Sequence, residues 1–139
     1  IPNFMIQGGD PNTRSDNEAI YGTGGPEYTI PDEFVEGEQL TNARGTIAMA
    51  NTGQPNSGGS QWFINLVDNT GLDFNQEPLA SKHPVFGRVV EGMDVVDTIG
   101  AVETKSRDIP LEPVVIETIL IERGEDSGEA AEAESAPVN

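Results

Sequence analysis

Apolar positions in this chain fall in short runs separated by polar, glycine-rich stretches, the pattern of brief extended segments. On an extended backbone, residues 60–67 alternate so that Gln61, Phe63 and Asn65 share one face and Trp62, Ile64 and Leu66 the other. Similar runs predict strands at 4–7, closed by Gly8-Gly9, at 45–51 and at 84–90, with a last strand within 113–123. Met93 to Ile99 reads as a short helix with Met93, Val96 and Ile99 on one side and Gly100 as its terminator. Residues 8–33 read as a long ordered loop, in which the polar insert Pro11 to Ile20 is expected to be mobile, and residues 68–82 as a second loop. There is no internal repeat. Short strands with one helix in this order fit a β-barrel.

Charge changes the picture of where such a domain works. The 139 residues carry 24 Asp and Glu against 7 Lys and Arg, a net charge of −17. The excess is not confined to the end of the chain: residues 1–121 alone hold 18 acidic and 6 basic side chains. Lysine occurs only at positions 82 and 105. Such a surface repels itself in dilute buffer. At about 1 M salt the Debye length shrinks to about 3 Å and the repulsion is screened. Adaptation to a very salty cytosol is therefore expected, the alternative being an ordinary acidic protein kept soluble by its charge. Nucleic acid and anionic membranes are poor partners for it.

Cysteine is absent, which excludes a disulfide framework and thiolate chemistry. No apolar run approaches the length of a membrane span. The chain opens on Ile1-Pro2, so a removed or missing N-terminal part is expected, with an upstream targeting signal left open. From Gly124 the composition turns to Glu, Ala, Ser and Gly. Two regions are thus expected: a domain over 1–123 and an acidic disordered tail over 124–139.

The densest chemistry lies in residues 48–64, Ala-Met-Ala-Asn-Thr-Gly-Gln-Pro-Asn-Ser-Gly-Gly-Ser-Gln-Trp-Phe-Ile. Two strand-like runs flank a loop, with Asn51, Gln61 and Phe63 near its mouth. Amide donors and acceptors stand beside an aromatic wall, without a nucleophile, metal-ligand set or phosphate cradle. That equipment grips a peptide and does not cut it. His83 is the single histidine, so no His-based metal cluster forms. A Ser-His-Asp arrangement with Ser60 or Ser81 lacks a G-x-S-x-G elbow. The glycine pairs lack the Lys-Ser/Thr of a phosphate loop, and no carboxylate spacing matches an EF-hand. No metal and no cofactor are expected.

Three blocks in order carry a resemblance: Phe4-Met5-Ile6-Gln7-Gly8-Gly9-Asp10, the 48–64 stretch, and His83-Pro84-Val85-Phe86-Gly87-Arg88-Val89-Val90-Glu91-Gly92-Met93-Asp94-Val95-Val96. Over residues 1 to 121 the chain resembles a cyclophilin, a peptidyl-prolyl cis-trans isomerase. The resemblance implies a mainly β fold, an eight-stranded antiparallel β-barrel capped by helices, with the first two strands and first helix absent from this chain. It implies that Phe4, Met5, Phe63 and Leu72 line a proline pocket, that Gln7, Ala50, Asn51 and Gln61 hold the substrate backbone, and that His83 stands at the pocket's edge. The family's catalytic arginine would lie two residues before Ile1, so no catalytic residue is expected within the chain.

The implied activity is rotation of X-Pro bonds during protein folding, in the cytoplasm, by a monomer whose partners are proline-containing polypeptides. A non-catalytic proline-peptide binding module and an inactive truncated cyclophilin are the alternatives. Where the family commonly has an aromatic residue before the pocket leucine this chain has Gly71, which leaves at most weak cyclosporin binding. Apart from the resemblance, Phe4, Met5, Phe63 and Leu72 also read as barrel core, and Gln7, Asn51 and Gln61 as loop-stabilising amides. Trp62, pointing away from Phe63, is expected in the core.

Overall fold

The computed structural model describes residues 1–34, 40–75 and 82–124. Four strands, β1 (Met5–Gly8), β2 (Thr46–Met49), β3 (Trp62–Asn65) and β4 (Val85–Arg88), are followed by one helix, α1 (Met93–Gly100). All pair antiparallel in the order β1-β3-β2-β4. β1 is as long as its expected run and shifted by one residue, while β2, β3 and β4 are shorter than theirs.

Register sorts the side chains. Gln7 and Ala48 both stand opposite Phe63, and Met5 stands opposite Asn65, so these five share one face. Ile6 and Ile47 both oppose Ile64, which puts the three isoleucines on the other face with Trp62 and Met49. The alternation expected of β3 therefore holds. Trp62 is half-buried, not core. It lies over the end of β1, where a Cβ on Gly8 would come within 2.9 Å of its Cζ2.

Met5, Ala48 and Phe63 are the buried centre of the first face, with Phe4, Ala50, Leu72 and Val85 packed against them. Burial of a side chain the size of Phe63 or Met5 contributes about 1.5–3 kcal/mol. Helix α1 buries Val96 and closes on Leu66. Gly100 ends the helix, as expected. It is the last helical residue, followed by Ala101 in right-handed geometry, and a Cβ at Gly100 would stand 2.5 Å from Leu66 Cδ1. The glycine is there for close approach. Arg44 clamps the helix through its two terminal guanidinium nitrogens, Nη1 and Nη2, to Asp97, at 2.8 and 2.7 Å, and donates from Nη1 to the Leu66 carbonyl. Hydrogen bonding to Arg44 holds the Asp97 carboxyl below its ordinary value.

A further sequence expectation is corrected. Residues 113–123 form no strand: among the described residues no neighbour offers them a ladder, and Val115, Ile119, Leu120 and Ile121 stay 69–82% exposed. The Pro11–Ile20 insert holds two 3-10 turns, Pro11–Arg14 and Glu18–Ile20, each capped by a side chain, Asp10 and Asn17 respectively. All of the tail beyond Gly124 lies outside the described residues, as does Ser81.

Candidate functional site

The apolar candidates meet. Phe63 and Met5 form a floor, 2% and 8% exposed, and half-buried Phe4, Ala50 and Leu72 stand around it. β1 delivers Phe4 and Met5 and β3 delivers Phe63. Ala50 follows β2, its N–H donating to the Gln61 carbonyl at 3.1 Å. Leu72 ends a 3-10 turn over Thr70–Leu72. A Cβ at the neighbouring Gly71 would meet nothing within 4 Å, so the position beside the rim is open.

The amides divide into two groups. Gln7 Nε2 donates to Gln61 Oε1 at 2.8 Å, and Gln61 Nε2 donates to the Gly24 carbonyl at 2.7 Å. This pair lies on the same face as Phe63, at the solvent side. Asn51 is different: its Nδ2 donates to the Lys82 carbonyl at 2.6 Å and its Oδ1 accepts from Gly53 N–H. Both ends of that amide shape the loop.

His83 closes the rim opposite. Its Nδ1–H donates to the Met49 carbonyl at 2.9 Å, and its ring meets Phe63 edge-on. A carbonyl only accepts, so the proton sits on Nδ1. The His83 N–H donates to the Leu72 carbonyl at 3.1 Å, which joins the two rim residues directly.

Beneath the rim runs a buried polar network that the pattern of residues did not disclose. The Asp73 carboxylate, 4% exposed, accepts from Thr41 Oγ1, Asn42 N–H and Asn42 Nδ2. Asn42 Nδ2 also donates to the His83 carbonyl at 3.1 Å. Asn65 donates to Asn42 and Thr46, and Asn69 donates to Asn65 and to the Phe4 carbonyl. The network fastens Phe4, Leu72 and His83 to the sheet. Its partners are many residues apart, and no periodicity marks them. The alternation of β3 placed Asn65 on the Phe63 face, and that was the one available signal.

A separate cavity of about 210 Å³ lies at the C-terminal end of α1, bounded by Pro2, Asn3, Arg44, Leu66, Asp97 and Ala101. It shares no residue with the apolar cluster. Among the described residues no three His, Asp or Glu side chains gather as a metal site, and no helix is long and apolar enough to cross a membrane.

An apolar cluster centred on an aromatic ring thus lies beside a bonded pair of amides. Residues 1–121 match the family of cyclophilin type peptidyl-prolyl cis-trans isomerases, and the chain belongs to it. It is 43% identical over 125 residues to a peptidyl-prolyl cis-trans isomerase of Acinetobacter baylyi, covering 87% of this chain and 61% of that protein. It is also 43% identical over 126 residues to peptidyl-prolyl cis-trans isomerase B of Escherichia coli, covering 87% of this chain and 72% of that one. Among solved structures it is similar to a cyclophilin type peptidyl-prolyl cis-trans isomerase of Cryptosporidium parvum, crystallised in the presence of the dipeptide Ala-Pro. The TM-score is 0.69 at 26% identity, over 89% of this chain and 72% of the other. The fold is thus cyclophilin-like. The chain spans between three-fifths and three-quarters of the length of these relatives.

Proposed function

We propose that the protein to which this chain belongs is a peptidyl-prolyl cis-trans isomerase. The observation that carries the reading is the meeting of Phe4, Met5, Phe63 and Leu72 in one cluster beside the bonded pair Gln7 and Gln61. X-Pro rotation needs no covalent step. Its barrier is the loss of amide resonance, about 18–20 kcal/mol. The proline ring rests on Phe63 and Met5, between Phe4, Leu72 and His83. The amides and the main chain at Ala50 and Asn51 hold the flanking peptide. Only interactions that strengthen in the twisted amide accelerate the rotation. In this proposal an arginine two residues before Ile1 supplies that interaction by donating to the prolyl nitrogen. The Ala-Pro dipeptide present with the Cryptosporidium relative supports the ligand class.

A second reading is a binder that holds proline segments without turning them. Two of the chain's seven cations, both in the folded part, are engaged elsewhere: Arg44 by Asp97, and Arg107 by main-chain carbonyls of the 18–21 loop. Isomerisation of an Ala-Pro peptide by a protein extended upstream of Ile1, assayed in molar KCl, separates the two. Acceleration is the expected result. Affinity without acceleration supports the binder, and absence of both sinks the peptide site.

We also propose a saline cytosol as its setting. Support comes from the net charge of −17 and from the two ion pairs seen among the described residues, Arg44–Asp97 and Lys105–Glu18, which leave most carboxylates without a cation. Circular dichroism should show structure lost as KCl falls from molar to millimolar. A spectrum constant over that range removes the proposal and leaves the isomerase reading intact.

A further inference from the structure

We propose that Arg107 is a positioning residue for the peptide-holding amides: it sets the 18–24 loop, that loop sets Gln61, and Gln61 sets Gln7. The functional half of this rests on the peptide-site reading above; the mechanical half does not.

Arg107 stands at the tip of a tight loop closed at its base by Lys105 N–H to the Ile109 carbonyl at 2.7 Å and Leu111 N–H to the Glu103 carbonyl at 2.9 Å. Its own backbone is left-handed, with φ 66° and ψ 26°, and Asp108 follows at φ 58°. That region disfavours any residue with a Cβ, and glycine or asparagine is its usual occupant. A long cationic side chain held there points to use of the side chain.

The use is visible. Nη1 donates to the carbonyls of Glu18 and Ala19 at 3.0 and 3.2 Å, and Nη2 to the carbonyl of Tyr21 at 2.6 Å. One planar fork thus gathers three carbonyls at the end of a 3-10 turn, a task for which lysine has the wrong shape. Lys105 adds an ion pair to Glu18.

From its inner side the same loop closes on Asp10, whose carboxylate accepts from Asn12 N–H and Gly22 N–H. Asn12 Nδ2 donates in turn to the Ile20 carbonyl and Thr23 Oγ1. The loop then presents the Gly24 carbonyl to Gln61 Nε2. Because a carbonyl only accepts, it fixes which end of the Gln61 amide faces the loop. Gln61 Oε1 is thereby turned to Gln7, and Gln7 must answer with its NH₂. Gln7 is left to offer its carbonyl oxygen to an N–H of the bound peptide. The donor and acceptor sense of the site is set from a residue more than 40 positions away in the chain.

The test uses the 139-residue chain in molar KCl, with Arg107→Ala and Arg107→Lys beside it. The readouts are proton exchange of the Gln61 side-chain amide without ligand and affinity for an Ala-Pro peptide by titration. Arg107→Ala should speed that exchange by about tenfold. It should weaken peptide binding by about 3–10-fold, the worth of one neutral hydrogen bond. Arg107→Lys should fall between. In a Gln61→Ala background the Arg107→Ala change should leave affinity unaltered. Arg107→Gly, which suits the left-handed backbone, carries the same readouts if Arg107→Ala does not fold. Unchanged exchange at Gln61, or an undiminished affinity loss in the Gln61→Ala background, overturns the proposal. If the unsubstituted chain binds no Ala-Pro peptide, the peptide-site reading fails, and the exchange rate alone still decides whether Arg107 orders Gln61.

Discussion

The imidazole of His83 meets the ring of Phe63 edge-on, with centroids 5.3 Å apart and planes at 82°. The same imidazole is held from the other side by the Met49 carbonyl. A residue fixed by β2 and seated on β3 couples the apolar cluster to the integrity of the sheet. His83→Ala removes an edge contact of about 0.5–1.5 kcal/mol and a hydrogen bond of about 1 kcal/mol. Denaturant unfolding should show a loss of about 1–3 kcal/mol. Affinity for a proline peptide should drop several-fold. His83→Phe, which keeps the edge contact alone, should be intermediate in both. Wild-type affinity in His83→Ala would place the residue outside the site.

Asp73 answers three donors from Thr41 and Asn42 with one buried carboxylate. Asp73→Ala leaves all three without an acceptor and should cost about 3 kcal/mol or more. Asp73→Asn keeps one carbonyl oxygen for both Asn42 donors, and its amide can donate to Thr41 once the hydroxyl rotates. Its cost should be less than half that of alanine, read from unfolding midpoints. Equal costs would show that charge, not hydrogen bonding, holds the network.

For Asp97 the sign of the pH effect follows from its lowered native value. A carboxyl whose native value lies below its unfolded one stabilises the fold above the unfolded value and loses that contribution as pH falls through the native value. The stability gap between the natural chain and Asp97→Asn should therefore be constant from neutral pH down to about 5 and close below the ordinary value of 3.8. Both partners are about half exposed, so high salt should narrow the gap. A gap that widens in acid would contradict the Arg44 clamp.

Gly100→Ala sets two effects against each other. Helix propensity favours alanine by about 0.5–1 kcal/mol. Against that, the added Cβ stands 2.5 Å from Leu66 Cδ1 in a buried contact. Overpacking of this kind costs about 1–3 kcal/mol and should win, giving a net loss near 1 kcal/mol. Paired with Leu66→Ala, the glycine substitution should turn neutral or favourable, since the obstructing atoms are gone.

How much of this was legible in the residues depends on the range of the interaction. The alternation of 60–67 is local and placed Gln61, Phe63 and Asn65 on one face, where the register has Phe63 and Asn65. Phe4, Met5, Phe63 and Leu72 are implied as one pocket by a family resemblance, which sets Ala50 among the backbone-holding residues, and the structure gathers all five. The Asn42–Asp73 network and the Arg107 fork join groups 31 and 86–89 positions apart, and polar side chains carry no period that would reveal such pairs. The polar composition of the Pro11–Ile20 insert reads as mobile and does not show the bonds its loop makes with Asp10 and Arg107. Residues 113–123 have the composition of a strand, but a strand exists only with a neighbour to bond it.

Trp62, which lies across the end of β1 on the face opposite Phe63, has one more consequence. It is the only tryptophan in the chain. Its emission reports on the joint between β1 and β3 from the face opposite the Phe63 cluster. Fluorescence can therefore follow the melting of this sheet while a labelled ligand follows occupancy, two optical signals that do not interfere.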